Sequence, residues 1–239
     1  MKYVDSVKDL GLYVWNNFLK RREVTKACNQ LIKHHEQSID FLRTVIEDTE
    51  KQVKWWEDEM KKNPAANYAN VIDLFKVTAD FYRLNGRLAL IELDVNTAYK
   101  NIFKAKTEYE YRFFARRIYT LMYEAEKGLA IPTGQMYPEL SKIVDAHNFD
   151  PYKKQHKALT AFLKSHKDEF EHVRNSNEAH KFRGFEIQLE SIENFSVKYS
   201  IGLIQEFQVL LAQLNVAFMI VNGALSAYLH KMMVKKNRK

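Results

Sequence analysis

The chain has 239 residues, of which 46% are hydrophobic and 28% charged, so it can fill a core and solvate a surface. Only seven glycines and four prolines punctuate it, which excludes turn-rich sandwiches and barrels and predicts a few long helices. The net charge of +7 permits phosphate or anionic-lipid partners without requiring them, and the single cysteine, Cys28, excludes an internal disulfide framework or a cysteine-based metal site. A reducing, cytoplasmic setting fits that cysteine usage, and residues 1–20 scatter charges where a secretory signal would need an apolar run.

The first helical stretch is predicted from about Arg22 to Lys62. Leu31, Ile39, Leu42, Ile46, Val53 and Trp56 follow approximate helical spacing there, among Lys, Glu and Asp. Asn63-Pro64 ends it, because proline disfavours helical geometry in the residue before it and has no N–H to donate. Trp55 and Trp56 read as packing residues. His34 and His35 are adjacent, project in different directions on a helix, and make a poor chelating pair.

From Tyr68 to Lys127 the helical pattern continues without proline. A single helix of that length would reach about 90 Å, so a break is expected near Asn85-Gly86 or near Asp94 to Asn96. Gly128 reads as a C-cap, and Pro132, Gly134 and Pro138 as a loop. Glu110, Arg117 and Glu124 recur every seven residues and share a face, either as an inward polar stripe or as an exposed ion-pair ladder.

A further helix is predicted from Pro151 to about Arg174, with Asp150 as its cap and Pro151 in its first turn. Leu159, Phe162, Leu163, His166, Phe170 and Val173 make its apolar face, which marks His166 as a core histidine. Glu169 and His172 have the Glu-x-x-His spacing of a carboxylate di-metal bundle, but no second copy exists, so no metal is expected. No cofactor-binding glycine-rich loop appears either.

The last helix is predicted from about Ser196 into the basic tail. Phe207 to Leu229 carries no charged side chain and is long enough to cross a bilayer. Against a span, Gln208, Asn215 and Asn222 set three amides on one face, which favours a buried bundle helix. The tail Lys231, Lys235, Lys236, Arg238 and Lys239 reads as a solvated helix end, with phosphate binding as the alternative.

One segment can carry chemistry. Arg174 and His180 are six positions apart, and on one uninterrupted helix they would point about 120° apart. Asn175-Ser176-Asn177 favours a break between them, and Asn175 with Glu178 has capping-box spacing. Such a break would let Arg174 end one helix and His180 open the next. Histidine can move protons near neutrality, and arginine can hold two phosphate oxygens while staying charged.

Arg174-Asn175, the spacing to His180 and the helix-break-helix context resemble the signature of the HEPN superfamily. The apolar-basic stretch Tyr111 to Glu124 is similar in character to an earlier helix of several members. The resemblance implies an all-α, elongated bundle of long antiparallel helices with a HEPN-like core over residues 67–239 and an N-terminal helical extension over 1–66. It also implies a metal-independent endoribonuclease that cleaves single-stranded RNA as a homodimer. Arg174, Asn175 and His180 would be its catalytic residues, Glu124 would help orient them, and a defence or toxin role would bring an antitoxin or other protein partner. The other expectation is a non-catalytic helical binding or scaffold module for RNA, nucleotide or a protein partner, with membrane association as a variant in which Arg174 and His180 are incidental. A membrane partner is not expected.

Overall fold

The computed structural model describes residues 18–65, 68–178, 195 and 197–236. Among these residues helix dominates and no strand occurs, so the all-α expectation holds. In chain order the helices are α1 (Phe18–Lys62), α2 (Ala69–Lys104) and α3 (Glu108–Ala125), then a π-helical turn (Glu126–Ala130). There follow α4 (Ile131–Gln135), α5 (Tyr137–Ile143), α6 (Ala146–Ser165), α7 (Lys167–Glu178) and α8 (Val197–Lys236).

Several helix ends differ from the sequence reading. α2 runs unbroken through both expected break points. Asn96 does not terminate it because its amide donates to the Glu92 carbonyl at 2.8 Å inside the helix, and Gly86 keeps a negative φ. The break falls at 105–107 instead. There Thr107 caps α3 by accepting from the Glu110 N–H, while the Glu110 carboxylate accepts from the Thr107 N–H, a reciprocal box worth about 1 kcal/mol.

The expected loop at residues 128–138 is also helical. Pro132 and Pro138 sit at the starts of α4 and α5, where the missing N–H has no helical partner to lose. Gly128 has no positive φ and caps nothing in the left-handed region. α6 starts at Ala146 with Pro151 inside it, and Asp145, rather than Asp150, caps its first turn by accepting from the Asn148 N–H at 3.0 Å. That hydrogen bond holds the Asp145 carboxyl below its ordinary value.

The burial pattern of α1 has a seven-residue period. Cys28, His35, Leu42, Thr49 and Trp56 are buried, whereas Leu31 and Trp55 are exposed, which corrects the expectation that both pack inward. The described residues divide into two compact units. One lies within Met1–Glu36, Ile91–Glu126 and Ala161–Val209, and the other within Gln37–Leu90, Lys127–Thr160 and Leu210–Lys239.

In the second unit α1 and α2 run antiparallel, as the Glu50–Arg83 and Glu57–Lys76 ion pairs show. Its core centres on Phe81, whose ring meets Phe218 at 5.1 Å and Tyr152 at 5.8 Å. Tyr152 donates to the Thr133 carbonyl at 2.9 Å, which ties α6 to α4. His156 closes the same corner: Nε2–H donates to the Ala130 carbonyl at 2.7 Å and Nδ1 accepts from the Tyr137 hydroxyl at 2.5 Å. Burial pushes the Tyr137 phenol up to about 12. Gly134 lies close beside this histidine, and a Cβ there would come within 3.1 Å of the His156 ring, which would have to shift by a few tenths of an ångström.

The first unit repeats the antiparallel arrangement. His35 on α1 faces Glu92 and Asn96 on α2, and Asn96 in turn accepts from Gln208 on α8 at 3.1 Å. Tyr99 accepts from Gln205 at 3.1 Å. The amide of Gln208 is thus spent inside the protein, in the direction the amide stripe predicted.

Candidate functional site

The site is built where α3 packs along α7 in the first unit. Amphipathic spacing turns Ala115, Ile118, Tyr119 and Met122 of α3 inward, all fully buried, against Phe170 and Val173 of α7. The Tyr119 ring meets Phe170 edge-on at 5.3 Å and Phe195 at 5.1 Å. Its hydroxyl lies among Ser200 and Glu169, and burial raises it well above the ordinary phenol value.

One turn further along both helices, the Arg174 guanidinium lies over the Tyr123 ring, 5.1 Å from its centroid. Arg174 is half-buried, and its Nη1 reaches the Asn175 Oδ1 at 3.5 Å. The aromatic face attracts the cation and holds it in place. Tyr123 was not singled out by the sequence reading; the signal available was an aromatic residue following the buried row of α3.

α7 continues as helix through Asn175 and on to Glu178, so the expected break after Arg174 does not occur at 175–177. The side-chain competition that was expected to interrupt the helix loses to a helix already anchored by Phe170 and Val173. His180 lies outside the described residues. Glu124 is exposed on α3, next to Tyr123. Glu110 and Arg117 are exposed with it, so this seven-residue row is an outer one and the inward-stripe alternative is corrected.

The buried polar groups of α3 are Arg112, Arg116 and Thr120, each one turn after the last. Arg112 pairs with Glu108 within the helix. Burial draws Arg116 below the ordinary guanidinium value, which still leaves a cation at neutral pH. The spacing that would have revealed them is their interleaving with Ala115, Ile118 and Tyr119 on the apolar face.

His166 sits in the turn between α6 and α7, its ring near Phe162 at 5.2 Å and Phe170 at 5.8 Å. It is partly exposed, and Nδ1 lies 3.7 Å from Glu169, so it packs at the edge of the core rather than inside it. Among the described residues no group of three or more His, Cys, Asp or Glu is arranged to hold a metal. No family model matches this chain, and no curated protein or solved structure matches it.

One buried histidine, His35, and one partly buried, His156, give the protein a predictable pH response. Burial holds His35 and His156 below their ordinary value of 6.5, with the His34 charge adding to the effect at His35 and the Ala130 hydrogen bond opposing it at His156. Both rings therefore bind protons less readily folded than unfolded. Their contribution to stability is complete above the unfolded value and shrinks as pH falls through it toward the lower folded values. The thermal midpoint should fall between about pH 7.5 and pH 5.5, and the slope should flatten when both are replaced by Gln. An unchanged slope in that double variant would assign the pH response to other groups.

Proposed function

We propose that the chain is a metal-independent endoribonuclease acting on single-stranded RNA, with Arg174, Asn175 and His180 as its working residues. The observation that carries the reading is the Arg174 guanidinium, half-buried, held over Tyr123 and beside the Asn175 amide oxygen. A fixed cation with an adjacent amide suits a phosphodiester, because planar guanidinium edges can engage two phosphate oxygens and follow the charge that develops on phosphorus.

In the proposed reaction the RNA 2′-hydroxyl loses its proton to a base and attacks the neighbouring phosphorus, and the 5′-oxygen leaves carrying a proton from an acid. The products are a 2′,3′-cyclic phosphate and a 5′-hydroxyl. Histidine supplies the proton steps and arginine the charge, so no metal enters. Two copies of the chain would contribute one motif each.

The decisive experiment incubates purified protein with labelled single-stranded RNA in excess chelator. Cyclic-phosphate ends and at least a dimer in light scattering are expected. Arg174→Ala should weaken RNA affinity and lower turnover by about 10²–10³. Cleavage that requires added metal, or an Arg174→Ala protein as active as wild type, sinks the reading.

A second reading, a non-catalytic helical binding module, draws on the continuity of α7 through Glu178, which keeps Asn175 in helical geometry rather than at a cap. RNA bound without cleavage would select it.

A further inference from the structure

The buried row of α1 carries one residue unlike its neighbours in the row. Cys28 offers only a weak donor and Leu42 none, and Thr49 satisfies its hydroxyl inside its own helix by donating to the Val45 carbonyl at 2.7 Å. None of these three needs a hydrogen-bonding partner on another helix. His35 is different. Its Nδ1 lies 3.5 Å from the Glu92 Oε2, and its Nε2 lies 3.4 Å from the Asn96 Nδ2. The Asn96 amide is fixed at both ends, because its nitrogen donates to the Glu92 carbonyl at 2.8 Å and its oxygen accepts from the Gln208 amide at 3.1 Å. With an N–H donor beside it, Nε2 is the acceptor of the ring, and the ring proton sits on Nδ1 toward the Glu92 carboxylate.

Side chains of α1, α2 and α8 thus meet in one polar layer within the first unit. His35, Glu92 and Asn96 are 4%, 6% and 6% exposed, so a partner lost there is not replaced by bulk water. Gln208 closes the layer from its half-buried side. Apolar layers discriminate poorly between helix registers, since such side chains repack around a shifted neighbour, and a core of that kind loses uniqueness before it loses stability. A polar layer discriminates strongly. Sliding α1 along α2 by one seven-residue repeat, about 10 Å, would bring Cys28 or Leu42 to Glu92 and Asn96. The carboxylate would then lie against a thiol or an alkyl group, and the imidazole would enter an apolar layer. Removing one partner from a buried polar set is strongly destabilising, whereas replacing the whole set by apolar side chains of similar volume is often neutral or stabilising.

We infer that the layer of His35, Glu92, Asn96 and Gln208 is a register device: it selects how α1, α2 and α8 align in the first unit and adds no net stability. A single buried polar position specifies register in this way in coiled coils, and the seven-residue period of the α1 row sets up the same degeneracy for it to resolve. The role is separate from RNA cleavage, which uses none of the four residues.

The test compares two variants of the full chain. His35→Leu removes one member of the layer and should lower the thermal midpoint by about 5–15 °C. His35→Leu, Glu92→Met, Asn96→Leu and Gln208→Leu together make the layer apolar and should return the midpoint to the wild-type value or above it. Register is read as the distance between spin labels at Lys26→Cys and Thr97→Cys, both exposed, with Cys28→Ala as the common background. The intact layer should give one narrow distance distribution. The apolar layer should give a second population, displaced because a slip of one repeat moves α1 by about 10 Å along its axis. An apolar-layer protein that keeps the single intact-layer distance would overturn the proposal, because other contacts would then set the register. Unchanged melting of His35→Leu would overturn it as well. So would an apolar-layer protein that melts as low as His35→Leu or loses its helical circular dichroism, since the layer would then be a net source of stability.

Discussion

Replacing His180 with alanine is expected to lower RNA cleavage by about 10²–10⁴-fold while leaving RNA affinity nearly intact. The asymmetry follows from the chemistry. Imidazole exchanges protons near neutral pH and contributes little to holding a phosphate, whereas a guanidinium holds phosphate and never releases its proton. His180→Ala should also remove one limb of the pH–rate profile, a change that a general loss of folding would not produce. Arg174→Ala should keep both limbs and shift affinity instead. The pair of variants thus separates proton transfer from charge stabilisation. A His180→Ala protein that cuts at the wild-type rate would remove the ribonuclease assignment and leave the binding module.

The largest stability effect is expected at Phe218. Its side chain is fully buried, with Phe81 at 5.1 Å and Tyr152 at 5.4 Å from its ring. Truncation to alanine forfeits the transfer energy of the ring and opens a cavity that two aromatic neighbours, themselves held by α2 and α6, cannot collapse to fill. A loss of about 3–5 kcal/mol is expected, with the thermal midpoint lowered by about 10 °C. Met219, the next residue, is the internal control. It is 66% exposed, and Met219→Ala should change stability by no more than about 0.5 kcal/mol. Equal melting of the Phe218→Ala protein and wild type would mean that the packing of α8 on Phe81 is not as described.

Fold class was legible because it depends on composition and local pattern. Scarce Gly and Pro with recurrent helical spacing exclude most other architectures, and the Asn63-Pro64 pair ended α1 within a residue of its observed limit. The ends of the other helices were harder to read. Asn85-Gly86 and Asp94 to Asn96 resemble breaks locally, yet Asn85 is buried and Asn96 bonds to Glu92, to Gln208 and to the His35 ring. His35 and Gln208 are distant in sequence, and no local rule anticipates them. Thr107 with Glu110 has the residue types and spacing of a capping box, but no Gly or Pro marks the break there.

The candidate site divides in the same way. Arg174, Asn175 and His180 could be chosen from residue chemistry and spacing alone, since charge, titration and donor geometry belong to the side chain. That Arg174 rests on Tyr123, that Arg112 and Arg116 are buried while Glu110, Arg117 and Glu124 are not, and that α7 stays helical through Asn175 were decided by the packing of α3 on α7. The same holds for α8. Its sequence determines a long uncharged helix with a basic end, but it is apolar on both sides, so periodicity could not say which would be covered. Only the placement of Phe81 and Tyr152 against Phe218 decided that Met219 faces outward. Burial is a property of the neighbours that tertiary structure supplies, and a single chain read by itself contains the candidates for contact without their pairing.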